Sequence, residues 1–106
     1  MNDKMEDESF CSFLTSAFST MKAVMQSGAG FYIWHADLEG FNFRKALKTA
    51  GLKVRQCLVW VKNSIVLGRQ DYQWKHEPCL YGWNDGAGHY FTDERTHTTV
   101  CEDKVD

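Results

Sequence analysis

The residues of this chain best suited to chemistry lie between positions 60 and 83, WVKNSIVLGRQDYQWKHEPCLYGW. Lys62, Arg69 and Lys75 supply cations, Tyr72 and Trp74 supply aromatic faces, and Asn63, His76 and Glu77 supply paired polar groups. Guanidinium and ammonium groups contact anions, and aromatic faces stack on planar partners. The stretch runs between two apolar segments, one ending in Trp60-Val61-Lys62-Asn63 and the other covering 79–83. Hairpins are ordinarily closed by two to five residues. The connection predicted here is about three times longer, a length typical of functional or disordered loops. Its aromatic residues argue against disorder, which needs low hydrophobicity.

The elements that must position this stretch follow from periodicity. Residues 7–26 predict a helix. Phe10, Phe13, Leu14, Ala17, Phe18, Met21, Val24 and Met25 recur at three- and four-residue steps as one broad apolar face. Asp7 and Glu8 suit the positive end of its dipole, and Gly28 suits the turn that ends it. Phe31-Tyr32-Ile33-Trp34-His35 is short and nearly all apolar, as expected of a strand covered on both faces. His35 and Asp37 then fall at that strand's C-terminal end, where open α/β sheets place ligands. Asp37 equally suits capping of the next helix. Residues 40–50 predict a second helix with Phe43, Ala46, Leu47 and Ala50 on one side, stopped by Gly51. Residues 52–61 and 79–83 predict two strands compatible with antiparallel pairing. Residues 90–100 suggest a polar edge strand, and 101–106 a frayed tail.

Helix, strand, helix, strand, loop and strand is an α/β order. The 31–61 portion is long enough for a right-handed parallel crossover. The first helix has no strand before it, and the sheet has few strands for a doubly wound fold. The expected architecture is therefore a single partial domain over 1–106, resembling the middle of a larger α/β domain. Missing neighbours leave open sheet edges that invite pairing with another chain. A dimer or oligomer is expected.

Bulk properties narrow the function. The net charge of −2 gives no global pull toward polyanions, so any such binding rests on a local patch. No apolar run approaches a membrane span, and the acidic start, MNDKMEDESF, lacks a signal-peptide layout. A cytoplasmic protein without a membrane partner is expected. Cys11, Cys57, Cys79 and Cys101 are spaced 46, 22 and 22 residues apart, without the close pairs of zinc sites. They read as small buried hydrophobes. His89 and His97 near Cys101 are the only hint of metal, and no metal site is assigned.

W-V-K-N at 60–63, L-G-R-Q-D-Y at 67–72, H-E-P at 76–78 and L-Y-G-W at 80–83 together resemble DNA amino-methyltransferases of prophages and bacteria. The resemblance extends back through F-Y-I-W-H-A-D at 31–37 and G-F-N-F-R-K-A at 40–46, and forward through A-G-H-Y-F at 87–91 to about Thr99. It implies a Rossmann-like methyltransferase sheet of the β motif order. It implies methyl transfer from S-adenosylmethionine to adenine N6 or cytosine N4, with adenine favoured, and DNA as partner. Within it, Tyr72 and Trp74 are candidates to stack on a flipped base. Lys62 and Arg69 are candidate phosphate contacts, and Lys75 joins them. Asn63, His76 and Glu77 occupy recurring positions near the base or the loop. His35 and Asp37 are weaker, active-site-facing candidates.

Two departures matter. Pro78 is the single proline, so the family's Asp-Pro-Pro-Tyr tetrapeptide is absent, and no glycine pair has the context of the Phe-x-Gly-x-Gly cofactor loop. No catalytic residue is assigned. The chain is expected to be a fragment inactive alone, doubtful in binding S-adenosylmethionine. It would be partnered by DNA, by the missing remainder of such an enzyme or by a second copy of itself. The alternatives are a non-catalytic nucleic-acid-binding or regulatory module built on that fold, and a self-contained metal or redox protein.

Overall fold

A computed structural model describes residues 3–92 and 94–102. Two helices pack on one face of a four-stranded mixed sheet. Helix α1 spans Asp3–Val24 and α2 spans Gly40–Ala50. Strands β1 (Gly30–Trp34), β2 (Lys53–Val66), β3 (Trp74–Trp83) and β4 (Val100–Glu102) lie in the order β1-β3-β2-β4. The molecule is a slab of 47 × 44 × 17 Å, thin enough for one helix layer on one sheet layer. Its radius of gyration of 16.0 Å exceeds the roughly 13 Å of a compact domain of about 100 residues.

The core forms between the layers. Leu14 and Phe18 of α1 and Ala46 and Leu47 of α2 close over Phe31, Leu52 and Leu80. The predicted face of α2 is the buried one, and Gly51 ends the helix at φ 88°. The apolar arc of α1 is wider than the stripe the sheet uses: Phe13, Ala17 and Val24 are exposed. The covering of β1 on both faces also fails. Phe31 is buried on the helix side, whereas Tyr32 and Trp34 stay 55% and 50% exposed, because no helix covers the other face.

The connectivity differs from a simple crossover. β1 and β2 run in the same direction, but β3 lies between them, antiparallel to both. Helix α2 still joins the two like-directed strands β1 and β2, as the crossover expectation had it, but β3 turns back from β2 and fills the place between them. The β2–β3 antiparallel pairing itself is as expected from the sequence. Both strands are longer than expected: β2 runs on to Val66 and β3 begins at Trp74. The connection is therefore only residues 67–73, and the long-loop expectation is corrected. Lys62, Asn63, Trp74, Lys75, His76 and Glu77 are strand residues.

Pro78 sits in the central strand, where a missing N–H normally breaks a ladder. Here it lies opposite His35, the first residue past β1, whose N–H donates to the Pro78 carbonyl at 3.3 Å. Among the described residues, 90–92 and 94–99 do not form the expected edge strand. The chain returns only as three-residue β4, parallel to β2. Of the tail expected to fray, Cys101 and Glu102 belong to β4, and 103–106 lie outside the described residues. Asn84 ties the turn after β3 back to the α1–β1 connection. It exchanges backbone hydrogen bonds with Gly28 and Ala29, and its Nδ2 donates to the Met25 and Gln26 carbonyls. Gly28 must be glycine there, for its φ is 84° and a Cβ would approach the Gly88 carbonyl oxygen to 2.5 Å.

Candidate nucleic-acid interface

β1 pairs with β3 only from Cys79 to Trp83, so the earlier half of β3 and the later half of β2 extend past it as a hairpin arm. Between the Val61–His76 and Val66–Trp74 pairs, β2 carries more residues than β3, which produces a bulge over Lys62, Asn63, Ser64 and Ile65. Bulges bend a strand and re-aim its side chains, often beside functional sites. Lys62, two residues beyond Trp60, reaches Glu77 at 3.5 Å and lies 5.4 Å from the centre of the Trp60 ring. This ion pair is partly exposed and contributes at most about 1 kcal/mol. Its value is positional, since it holds a cation beside an aromatic face.

At the arm's tip, the loop is braced from within. Gln73 Oε1 accepts from the Gly68 backbone N–H at 2.9 Å, and Gln73 Nε2 donates to the Gln70 carbonyl at 3.1 Å. Arg69 and Tyr72 project from this braced loop, Tyr72 at 89% exposure. Trp74 begins β3 with its ring 5.7 Å from that of His76. A shallow depression lies between these two rings and residues 70–73.

The sheet separates the candidates by face. Trp60 pairs with Glu77 and Trp34 with Cys79, so these residues share the face away from the helices, where Trp34 and Trp60 meet edge-to-face at 6.1 Å. A second shallow depression is lined by Trp34, Trp60, Glu77 and Cys101. Trp34 and Trp60 were absent from the sequence-derived candidates. The available signal was that each tryptophan falls near the end of an apolar strand run, and the C-terminal ends of like-directed strands are where α/β folds place ligands.

His35 faces the helices. Its ring stacks on Phe43 with centroids 5.1 Å apart, and its Nδ1 lies 3.3 Å from the Ile33 carbonyl oxygen. Asp37 is exposed and opens a single 3-10 turn (Asp37–Glu39) without a side-chain cap bond. The alternative role of capping α2 also falls elsewhere: Glu39 occupies that N-cap and accepts from Asn42 Nδ2 at 3.1 Å. Among the described residues no group of three or more His, Cys, Asp or Glu is placed to hold a metal ion. His89 instead stacks on Trp83 at 3.4 Å, on a ring that also carries Arg55 at 4.5 Å. His97 lies 3.6 Å from Glu94. Burial pushes the Cys79 thiol and the Tyr81 phenol above their ordinary values, with the nearby Tyr32 adding to the second. A thiol held protonated in the sheet interior is no nucleophile.

The arm thus combines cations, aromatic faces and amides on a protruding, internally braced scaffold. Such a surface can contact a phosphate backbone and stack on unpaired bases.

No protein-family model matches the chain, and no curated protein matches its sequence. Solved structures do match. The chain superposes on the DNA methyltransferase M1.HpyAVI in its SAM complex with a TM-score of 0.70 at 14% identity, over 86% of this chain and 51% of that one. A structure of M1.HpyAVI alone gives a TM-score of 0.71 at 14% identity, over 83% and 49%. The mixed sheet and its two helices therefore have a methyltransferase fold. The chain spans about half the length of M1.HpyAVI. No helix among the described residues is long and apolar enough to cross a membrane.

Proposed function

We propose that the chain is the DNA-facing part of a site-specific DNA amino-methyltransferase. In the complete enzyme a methyl group would pass from S-adenosylmethionine to an exocyclic amino nitrogen, adenine N6 by preference. The observation carrying this reading is the braced hairpin arm, with Lys62, Asn63, Arg69, Tyr72, Trp74, His76 and Glu77 on it, set on a methyltransferase fold. Arg69 and Lys62 contact phosphate, Tyr72 and Trp74 stack on bases, and Glu77 holds Lys62. S-adenosylmethionine supplies the methyl group. The groups that would hold it and polarise the target amine belong to motifs this sequence lacks, so the chain alone is inactive. DNA is the partner, with the remainder of the enzyme completing the site.

The test is DNA binding by the chain over a salt series, with S-adenosylmethionine titrated in the same buffer. DNA affinity should fall with salt, since each neutralised phosphate contributes a slope of about −0.9 in log K against log salt. Arg69→Ala should lower that slope by about one contact. Lys62→Ala should lower it less, because Glu77 already offsets its charge. Affinity unchanged in the double variant would remove the arm as the DNA contact. Binding of S-adenosylmethionine by the chain alone would overturn its catalytic incompleteness.

A further inference from the structure

Resting on the DNA reading above, we propose that Glu77 is the residue that discriminates among bases. On paired duplex its carboxylate holds Lys62 back from phosphate, and it gives Lys62 up only to the exocyclic amino group of an unstacked base. Every group concerned lies on β1, β2 or β3, at positions fixed by the pairing of these three strands with one another. Glu77 sits opposite Trp60, and its Oε1 lies 3.5 Å from Lys62 Nζ. That is looser than the roughly 2.7–2.9 Å of a tight charge-assisted hydrogen bond. The two side chains keep 44% and 26% of their surface exposed, so either can change partner without stranding a buried charge. Lys62 also has a second anchor, for its ammonium is 5.4 Å from the centre of the Trp60 ring, within reach of a cation–π contact.

The chemistry of the carboxylate names the ligand. An acidic group facing a polyanion repels it, so Glu77 weakens binding unless it meets a donor. An ionised carboxylate only accepts hydrogen bonds. The amino groups of adenine, cytosine and guanine donate to it. Thymine has no amino group, and its single N–H is flanked by two carbonyl oxygens that repel a carboxylate. Glu77 also rims a depression with Trp34 and Trp60, whose rings meet edge-to-face at 6.1 Å. Trp34 is 50% exposed, which leaves indole surface for a base to stack on, with the base edge beside Glu77. The occupant is thus an unpaired, amino-bearing base, with a planar face for the indole and a donor for the carboxylate. Its arrival frees Lys62 to exchange a weak carboxylate partner for phosphate. Base recognition and backbone contact are coupled through one side chain.

The test uses the whole chain and labelled duplexes, read by fluorescence anisotropy over a salt series. One duplex is fully paired. The others hold a single base opposite an abasic site: adenine, its N6,N6-dimethyl derivative, or thymine. Adenine should bind at least about fivefold more tightly than the other two, the worth of one discriminating hydrogen bond. Glu77→Gln keeps the size of the side chain and drops its charge. It should tighten binding of the fully paired duplex by up to about fivefold. It should steepen the slope of log K against log salt by about 0.9, and cut the preference for adenine to about twofold or less. Adding Lys62→Ala to Glu77→Gln should remove the steepening, because the extra contact is made by Lys62. An unchanged slope in Glu77→Gln, a steepening that persists in the double variant, a preference that survives Glu77→Gln, or thymine bound as tightly as adenine would each overturn the proposal and leave the DNA reading standing. No binding of any duplex by the unaltered chain would remove both.

Discussion

Replacing Gly82 with alanine tests the sheet order directly, because Gly82 lies in the central strand opposite Phe31 on one side and Val54 on the other. A Cβ there would collide with the Lys53 carbonyl oxygen and stand 2.6 Å from Phe31 Cζ. The first obstacle is backbone and cannot swing aside. The second belongs to a core ring only 5% exposed. Two terms favour the substitution. One added methyl gains about 0.8 kcal/mol on burial, and removing a strand glycine restricts the unfolded chain by about 0.5–1 kcal/mol. Against them stands overpacking, usually about 1–3 kcal/mol and occasionally more. With two neighbours penetrated and one of them backbone, the cost belongs above that range, near 4 kcal/mol, and the net loss is about 2 kcal/mol. For a domain of this size that lowers the melting temperature by roughly 8–15 °C. Thermal and urea unfolding followed by circular dichroism at low micromolar concentration would read it, with Gly30→Ala as the comparison. At Gly30 the nearest atom is 3.7 Å away, so that variant should stay within about 0.5 kcal/mol of the parent. Equal stability of the two alanine variants would refute the placement of β3 between β1 and β2.

Further outcomes follow from the core. Leu47 is fully buried among Leu14, Phe18, Phe31 and Leu80, so Leu47→Ala should cost about 3–5 kcal/mol in urea unfolding; a loss under about 1 kcal/mol would deny α2 its place on the sheet. Stability should also fall in base. Cys79 and Tyr81 are raised above ordinary values of 9.0 and 10.0, so above about pH 9 the unfolded chain loses protons that the folded chain keeps. The full contribution is present below pH 9 and is lost as pH rises, at no more than about 1.4 kcal/mol per pH unit for each group. Cys79→Ala should flatten the portion starting near pH 9, and an identical slope in that variant would rule out its burial as the cause.

How far the sequence announces this structure depends on whether the local pattern and the pairing agree. In α2 they agree: Phe43, Ala46, Leu47 and Ala50 share one side, and Gly51 takes the left-handed conformation that stops the helix. In the hairpin they conflict. Lys62, Asn63 and Ser64, like Lys75, His76 and Glu77, have the polarity of a loop, yet both runs extend the strands because the arm carries little core of its own and its backbone groups satisfy one another. The candidate residues were therefore legible by type and region, while their setting was not. Arg69 and Tyr72 are on the loop, and the others are spread over two faces of a bulged pair. The aromatic run in β1 misled for a related reason. Apolarity shows that a strand can be buried, but only the layers present decide whether its second face is covered.

Pro78 carries the clearest case of position overriding local preference. Beside His76 and Glu77 it marks a loop end to a sequence reader, and a proline in a central strand is normally excluded. Its absent N–H faces His35, one residue beyond β1. A β1 extended past Trp34 would meet a carbonyl but no donor at that position, so the ladder stops there. The same proline leaves the β2 side of the ladder intact, because Val59 stays opposite it and the pairing continues through Trp60–Glu77 and Val61–His76. One residue type at one register position thus sets both limits, where the body of the sheet ends and where the hairpin arm begins to project.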